Sequence, residues 1–508
     1  MKKILLMYFI LLLFQTASAS ENQQLPVRTV IAGKIMNGRA DTLTLSFFSQ
    51  RLGITTKGAR ISRNTTTNGD FKLILPEFTG IAYISLLSSV WPRLALSNYL
   101  VEPGDSIYIT VNPSNLTIRQ NIAGTGLAFT GRNPEKFQAR YLVDSLSQVL
   151  HQQIMAAGPP IRDREPRFDT LVREIDKYLE KTRKIKLHAL AVNKEKLSPL
   201  SYGIMEADIL YQSLLAIITQ FSFSWGPVGK YADSLDRIKA MVTSFHDRFE
   251  NEPERLQTTK EGRENSWAYL DFLTRRTMYS PRLAKGRGIT IQASDYLPFI
   301  KQLSPGMQEK TSTTIAAYLY TYSPEVRGEN VYLDSIITRV FDPFLSGILL
   351  NYRSIMRKGA PFFPFSLPDP SGKMINIDTF KGKAVLVDFW FTGCLACIKL
   401  AGRMRRVKEI LKDNKNIVFM SISADKEKET WLNSLKQDKY TDKENINLFT
   451  NGLGFNHPLL NHYSFTAFPK MMVIDPAGRI YSNNPPTPDG EDTIIALATM
   501  LKEAALYK

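Results

Sequence analysis

Cysteine is nearly absent from this chain, with two in 508 residues, and histidine is scarce, with five. The two cysteines, Cys394 and Cys397, stand three positions apart, so neither can tie one distant segment to another. A structural zinc site would need further thiolate or imidazole ligands. The nearest histidines, His457 and His462, lack both the close spacing and the accompanying cysteine of such sites, so no metal is expected. Lys and Arg outnumber Asp and Glu by 16. No long Lys/Arg block gathers that excess, and the C-terminal third is nearly balanced. A solvated basic surface is therefore expected rather than a nucleic-acid site. No internal stretch reaches the ~20 apolar residues that cross a bilayer as a helix. Ile204 to Phe223 comes nearest, but Glu206, Asp208, Gln212 and Gln220 interrupt it, as in a buried core helix.

What is present is ordinary globular material. The chain is 44% apolar and 22% charged, with 27 prolines, and its length suits two to four domains of roughly 150 residues. The start reads as an address. Lys2 and Lys3 precede an unbroken apolar run from Ile4 to Phe14, and Ala17-Ser18-Ala19 has the small-x-small form that signal peptidase accepts. Residues 1–19 are thus expected to be a cleavable export signal, with an uncleaved anchor as the alternative. The absence of a cysteine near the cleavage site speaks against a lipid anchor.

Three regimes follow, without internal repeats. Over 27–130 the segments Val27–Ile35, Thr42–Phe48, Phe71–Leu75, Ala82–Leu87 and Ser106–Val111 are rich in β-branched and aromatic residues. Asn37-Gly38, Asn68-Gly69-Asp70 and Glu102-Pro103-Gly104-Asp105 punctuate them, which predicts a β-sandwich. Over 134–359 the apolar period lengthens to about 3.6: Phe168, Leu171, Val172, Ile175 and Leu179 form one helical face. The pattern recurs around Phe137–Ile154, Ile204–Phe223, Tyr231–Phe249, Thr313–Tyr322 and Val331–Met356. This middle region is expected to be all-α. Over 361–508 strand and helix alternate. Strands are expected at Lys383–Phe391, Asn416–Ala424 and Met471–Asp475, with Ile480 pairing back. Helices are expected at Leu395–Lys412, Lys428–Gln437 and Glu491–Leu506. That order makes an α/β layer structure with a central sheet.

The chemistry sits in the third regime. Cys394 follows a buried strand and opens a helix, where unpaired N–H groups and the helix dipole favour a thiolate. Cys397 falls one turn further in, within disulfide reach and shielded, whereas Cys394 is expected to be partly exposed. An exposed thiolate that forms a mixed disulfide, backed by a second thiol that resolves it, is the arrangement thiol–disulfide exchange requires. No cofactor beyond the cysteine pair is implied.

Val385-Leu386-Val387-Asp388-Phe389-Trp390-Phe391-Thr392-Gly393-Cys394-Leu395-Ala396-Cys397 resembles the active-site strand and motif of TlpA/ResA-type thioredoxin-like oxidoreductases, which act outside the cytoplasm. Phe365 to Asp369, Ser421 to Asp425 with Trp431, and Phe468-Pro469 with Ile474-Asp475 extend the likeness over 361–508. The Glu102 to Ser106 segment resembles, less specifically, a small β domain found ahead of such modules. The resemblance implies a thioredoxin-like fold and a periplasmic or cell-envelope location. It also implies that Asp388 takes and returns the Cys397 proton, that Phe468-Pro469 is a cis-proline step opposite the motif, and that Trp390, Phe468 and Pro469 meet the substrate. Two features depart from the family: Leu395-Ala396 lacks the usual proline, and Gly393 replaces a tryptophan. Leu395 and Ala396 add no donor to the thiolate, so a reductant or isomerase is expected rather than a strong oxidant. Its partners would be protein thiols and disulfides, with a membrane thiol protein as electron donor. A binding protein of the cell envelope with a vestigial redox pair is the alternative. A peroxiredoxin is not indicated, because Thr392 stands one residue too close to Cys394.

Overall fold

The computed structural model describes residues 28–36, 41–49, 52, 59–91, 94–116, 126–156, 168–225, 243, 249, 256, 258–285, 293–322, 336–463, 465 and 468–507. The expected export signal, and most of the pattern from Tyr231 to Phe249, lie outside them. The chain divides into two compact units, Met1–Ile291 and Gln292–Lys508. The helical region from 134 to 359 is shared between them.

The first unit opens with a β-sandwich. One sheet has the order β4-β1-β7-β8, from β1 (Val30–Ile35), β4 (Asp70–Ile74), β7 (Ser106–Val111) and β8 (Leu127–Arg132). The other runs β3-β2-β5-β6, from β2 (Thr42–Phe48), β3 (Ala59–Asn64), β5 (Ala82–Ser88) and β6 (Ala95–Val101). Alternation puts Ile31, Ile107 and Ile109 of the first sheet and Leu43, Leu45, Ile84 and Leu86 of the second into one apolar core. The Glu102-Pro103-Gly104-Asp105 turn is an anchor for the helices that follow. Asp105 is fully buried and accepts hydrogen bonds from Glu102 N (2.8 Å) and Asn133 Nδ2 (3.0 Å). Its Oδ2 lies 2.6 Å from Lys136 Nζ, in the first turn of α1 (Glu135–Ala156).

Helices α2 (Phe168–Ala191), α3 (Pro199–Trp225), α4 (Lys260–Asn265) and α5 (Trp267–Lys285) follow among the described residues of this unit. α3 packs on α2, α4 and α5. A buried carboxylate joins sheet and helices: Asp208 of α3 accepts hydrogen bonds from Ser266 Oγ (2.6 Å), Tyr83 Oη (3.1 Å) and Ala268 N (3.5 Å). Burial pushes its carboxyl up to about 6, against the pull of Arg140 and these donors.

In the second unit, α6 (Pro305–Tyr322) packs against α7 (Pro343–Met356). Glu309 accepts hydrogen bonds from the N–H groups of Phe341 and Asp342, both at 2.9 Å, where Asp342 caps α7. After the short hairpin β9 (Ser366–Pro368) and β10 (Met374–Asn376) comes a five-stranded mixed sheet in the order β13-β12-β11-β14-β15. These strands are β11 (Ala384–Trp390), β12 (Ile417–Ser423), β13 (Ile446–Phe449), β14 (Lys470–Ile474) and β15 (Ile480–Ser482). β11 is central, parallel to β12 and antiparallel to β14. The parallel pair needs a crossover, which α8 (Leu395–Leu411) supplies. The sheet's further helices are α9 (Lys428–Gln437), α10 (Pro458–His462) and α11 (Glu491–Leu506). On one face of the sheet, Ala384 and Leu386 pack with Leu400, Val407 and Leu411 of α8 and Leu497 and Leu501 of α11. Each such leucine contributes about 1.5–3 kcal/mol through burial. Period two places Asp388 on that same face, under α8.

The chain entering this sheet also pairs with it. Gly359 N donates to Ile480 O (2.7 Å), Ile480 N to Ala360 O (2.8 Å) and Phe362 N to Gly478 O (3.0 Å). Lys358 Nζ sits 4.0 Å from the Tyr481 ring centre and 4.6 Å from that of Tyr507.

Candidate active site

β11 ends at Trp390 and α8 begins at Leu395, so the intervening turn fixes the cysteines. Thr392 is held on both sides, its N and Oγ1 donating to the Asp425 carboxylate at 2.9 and 2.8 Å. Gly393 follows with φ +97°, a left-handed conformation that a side chain there would strain. Glycine rather than tryptophan before the first cysteine fits that backbone. Gly393 N donates to Tyr440 Oη at 2.9 Å.

Cys394 is the N-cap of α8, and its Sγ accepts a hydrogen bond from Cys397 N at 3.1 Å. The two cysteines form a disulfide with Cα atoms 5.2 Å apart. When the pair is reduced, that same N–H and the positive end of the helix face the Cys394 sulfur, which lowers its proton affinity. The Phe468–Pro469 peptide is cis, and the Phe468 carbonyl oxygen is 3.8 Å from Cys394 Sγ. An oxidised sulfur has no proton to donate, so this is a contact rather than a hydrogen bond.

Two expectations need correction. Cys394 is not partly exposed: it is 6% accessible against 2% for Cys397. Both sulfurs sit in an apolar cluster with Trp390, Trp431 and Phe449, bordered by Phe391, Tyr440 and Phe468. Trp390 does not reach the surface either. It is 1% accessible and stacked flat on Tyr440, with ring centres 5.1 Å apart. Its ring supports the redox pair from beneath and offers a partner no face. The surface beside Cys394 comes instead from Leu395, which is 75% exposed, and from the contacting rings of Phe391, Phe455 and Phe468.

Behind the disulfide lies a small cavity of about 20 Å³, room enough for a water. Asp388, Cys397, Lys408, Asp442 and Pro469 line it. Asp388 is mostly buried and borders this cavity. Burial pushes its carboxyl up to about 7, while a hydrogen bond from Ser421 Oγ (2.8 Å) and the charge of Lys408 draw it down. Asp388, Cys397 and Pro469 are therefore brought together as the sequence suggested. Lys408, Tyr440 and Phe455 were not singled out from sequence. The i, i+11 spacing of Cys397 and Lys408 on one helix was the available signal for the first of these. The other two come from loops far along the chain and left none.

This geometry coincides with a family match. Residues 382–480 match the model of a thioredoxin-like family, and the second unit accordingly carries a thioredoxin-like domain. No curated protein matches the chain. Among solved structures, it is similar to the thioredoxin domain of a thiol-disulfide oxidoreductase from Bacteroides vulgatus, at 26% identity over 29% of this chain and 99% of that one, with a TM-score of 0.25. It is also similar to a thiol:disulfide interchange protein from a Bacteroides species, at 25% identity over 30% and 92%, with a TM-score of 0.25.

Proposed function

We propose that the protein is an exported thiol–disulfide oxidoreductase that reduces or isomerises disulfides of other polypeptides. The observation that carries this reading is the Cys394–Cys397 disulfide at the N-terminus of α8, beside the Phe468 carbonyl and Pro469, inside the thioredoxin-like domain. In the reduced protein, the Cys394 thiolate attacks one sulfur of a substrate disulfide. A Cys394–substrate disulfide forms, and the other substrate sulfur leaves as a thiolate. Cys397 then gives its proton to Asp388, and its thiolate attacks Cys394 Sγ. That step closes the Cys394–Cys397 bond and releases the second substrate thiolate. Two electrons pass from the dithiol to the substrate; the Cys397 proton is handed on by Asp388 to one substrate sulfur, and solvent returns to the other the proton that Cys394 lost on becoming a thiolate. Leu395, Phe391, Phe455 and Phe468 offer an apolar rim suited to a polypeptide segment. Leu395 and Ala396 add no donor to the thiolate, which supports a reductant or isomerase, and turnover then needs a membrane thiol protein to return electrons.

Reduction of a peptide disulfide should fall to the uncatalysed rate in Cys394→Ser, whereas Cys397→Ser should accumulate mixed disulfides with partners in the native envelope. Equilibration with glutathione should place the pair well below the roughly −120 mV of the strongest oxidants. A wild-type protein with no exchange activity would leave the redox pair without a function and overturn the reading.

A further inference from the structure

The charges around Asp388 are more than the exchange steps require. Cys397, Ala401, Met404 and Lys408 fall at i, i+4, i+7 and i+11 on α8, a spacing that keeps all of them within about 40° of the direction of Cys397. All four line the cavity that Asp388 borders. The Lys408 side chain is only 16% exposed. Its Nζ is 2.9 Å from Asp442 Oδ2 and 5.4 Å from the centre of the Phe419 ring. The other titratable groups around the cavity are Arg405, Tyr440 and Cys397 itself. Arg405 is largely exposed and reaches Asp438, so its charge is screened. Lys408 is thus the sheltered cation, paired with Asp442, on a cavity that Asp388 also lines.

We propose that Lys408 is a positioning residue for the redox pair: shared between Asp442 and Asp388, it sets how readily Asp388 takes and returns the Cys397 proton. This rests on the role given to Asp388 above. The sharing is unequal. Asp442, although partly buried, is held below the usual carboxylate range by the Glu444 N–H, by Lys408 and, more weakly, by Arg405, so Asp388 feels only the remainder of the Lys408 charge. Opposite outcomes follow from breaking the arrangement at its two ends. Removing the cation leaves Asp388 with burial, opposed only by Ser421 and its own backbone N–H, and its titration moves to higher pH. Removing Asp442 releases the whole charge toward Asp388, and the titration moves to lower pH.

The test mixes the full reduced chain rapidly with 5,5′-dithiobis(2-nitrobenzoate) over a range of pH. The first thionitrobenzoate released reports attack by Cys394, and the second reports resolution by Cys397. In Lys408→Met the second release should slow at pH 7 by about two- to tenfold, with its midpoint moved upward. Asp442→Asn should move that midpoint downward, and Lys408→Arg should restore the wild-type profile. Midpoints that move together, do not move, or stay displaced in the arginine variant would overturn the proposal. The Asp388 carbonyl stretch, followed by infrared difference against Asp388→Asn, gives the same titration without any exchange. A wild-type protein inactive in exchange would fail the enzyme reading, while a displaced carboxyl titration in Lys408→Met would still support the Lys408 coupling.

Discussion

Each unit buries an aspartate whose carboxyl is pushed well above its usual range, yet the two sites are built differently. Asp208, in the first unit, is saturated: two hydroxyls and a backbone N–H donate to it, and Arg140 attracts it. Asp388, in the second, has Ser421 as its one side-chain donor beside its own backbone N–H, and it borders a cavity shared with Cys397. The comparison teaches that a displaced titration does not by itself mark a working group. Saturation ties a carboxylate to its scaffold, and unused capacity beside a reactive sulfur leaves it free to handle a proton.

The contrast is sharpest in Asp208→Asn. A side-chain amide has one acceptor oxygen, so its NH₂ would meet donors that need an acceptor. A loss of about 2–4 kcal/mol in urea unfolding is expected, with disulfide exchange within about twofold of wild type. An activity loss larger than the stability change would move Asp208 into the chemistry and break the comparison. Asp388→Asn should do the reverse. A carboxyl that titrates near 4 when unfolded and near 7 when folded binds more protons in the native state between those values. Stability therefore falls as pH rises through that window, and the penalty is absent below it and complete above it. The amide removes the penalty, so the variant should gain roughly 1–3 kcal/mol at pH 8 and nothing at pH 4, while resolution by Cys397 slows. Equal stability at both pH values would show that Asp388 carries no such penalty. Ser421→Ala is the smallest change. Losing one donor should cost about 1 kcal/mol at pH 8 and move the pH profile of the resolving step upward, a shift readable in the same stopped-flow traces.

Much of this was legible in the sequence because burial repeats with a fixed period. β11, β12, β14, α8 and α1 fall within a residue or two of their patterns, the strands because they are near-continuous apolar runs and the helices because each has one apolar face. By contrast, α2 starts where its pattern does and runs on to Ala191, twelve residues past Leu179. The misses have physical causes. β3 reads Ala-Arg-Ile-Ser-Arg-Asn and offers one large apolar residue. β6 is interrupted at Asn98, which takes φ +58° beside an irregular register with β5. α5 carries Pro281 inside it, which reads as a terminator. At the site, residues close in sequence declared themselves. Lys408 did not, since its importance depends on Asp442, which another loop supplies.

The pairing of residues 359–362 with 478–480 bears on how the second unit could be handled alone. β15 is the last strand on its side of the five-stranded sheet, and the incoming chain occupies its outer hydrogen-bonding groups. A fragment begun at residue 364 would strip that cover, together with the Lys358 ammonium lodged against Tyr481 and Tyr507. It would leave a bare strand able to zip onto another copy of itself. A fragment begun a few residues before Lys358 keeps the seal, so the redox module starts upstream of its first strand.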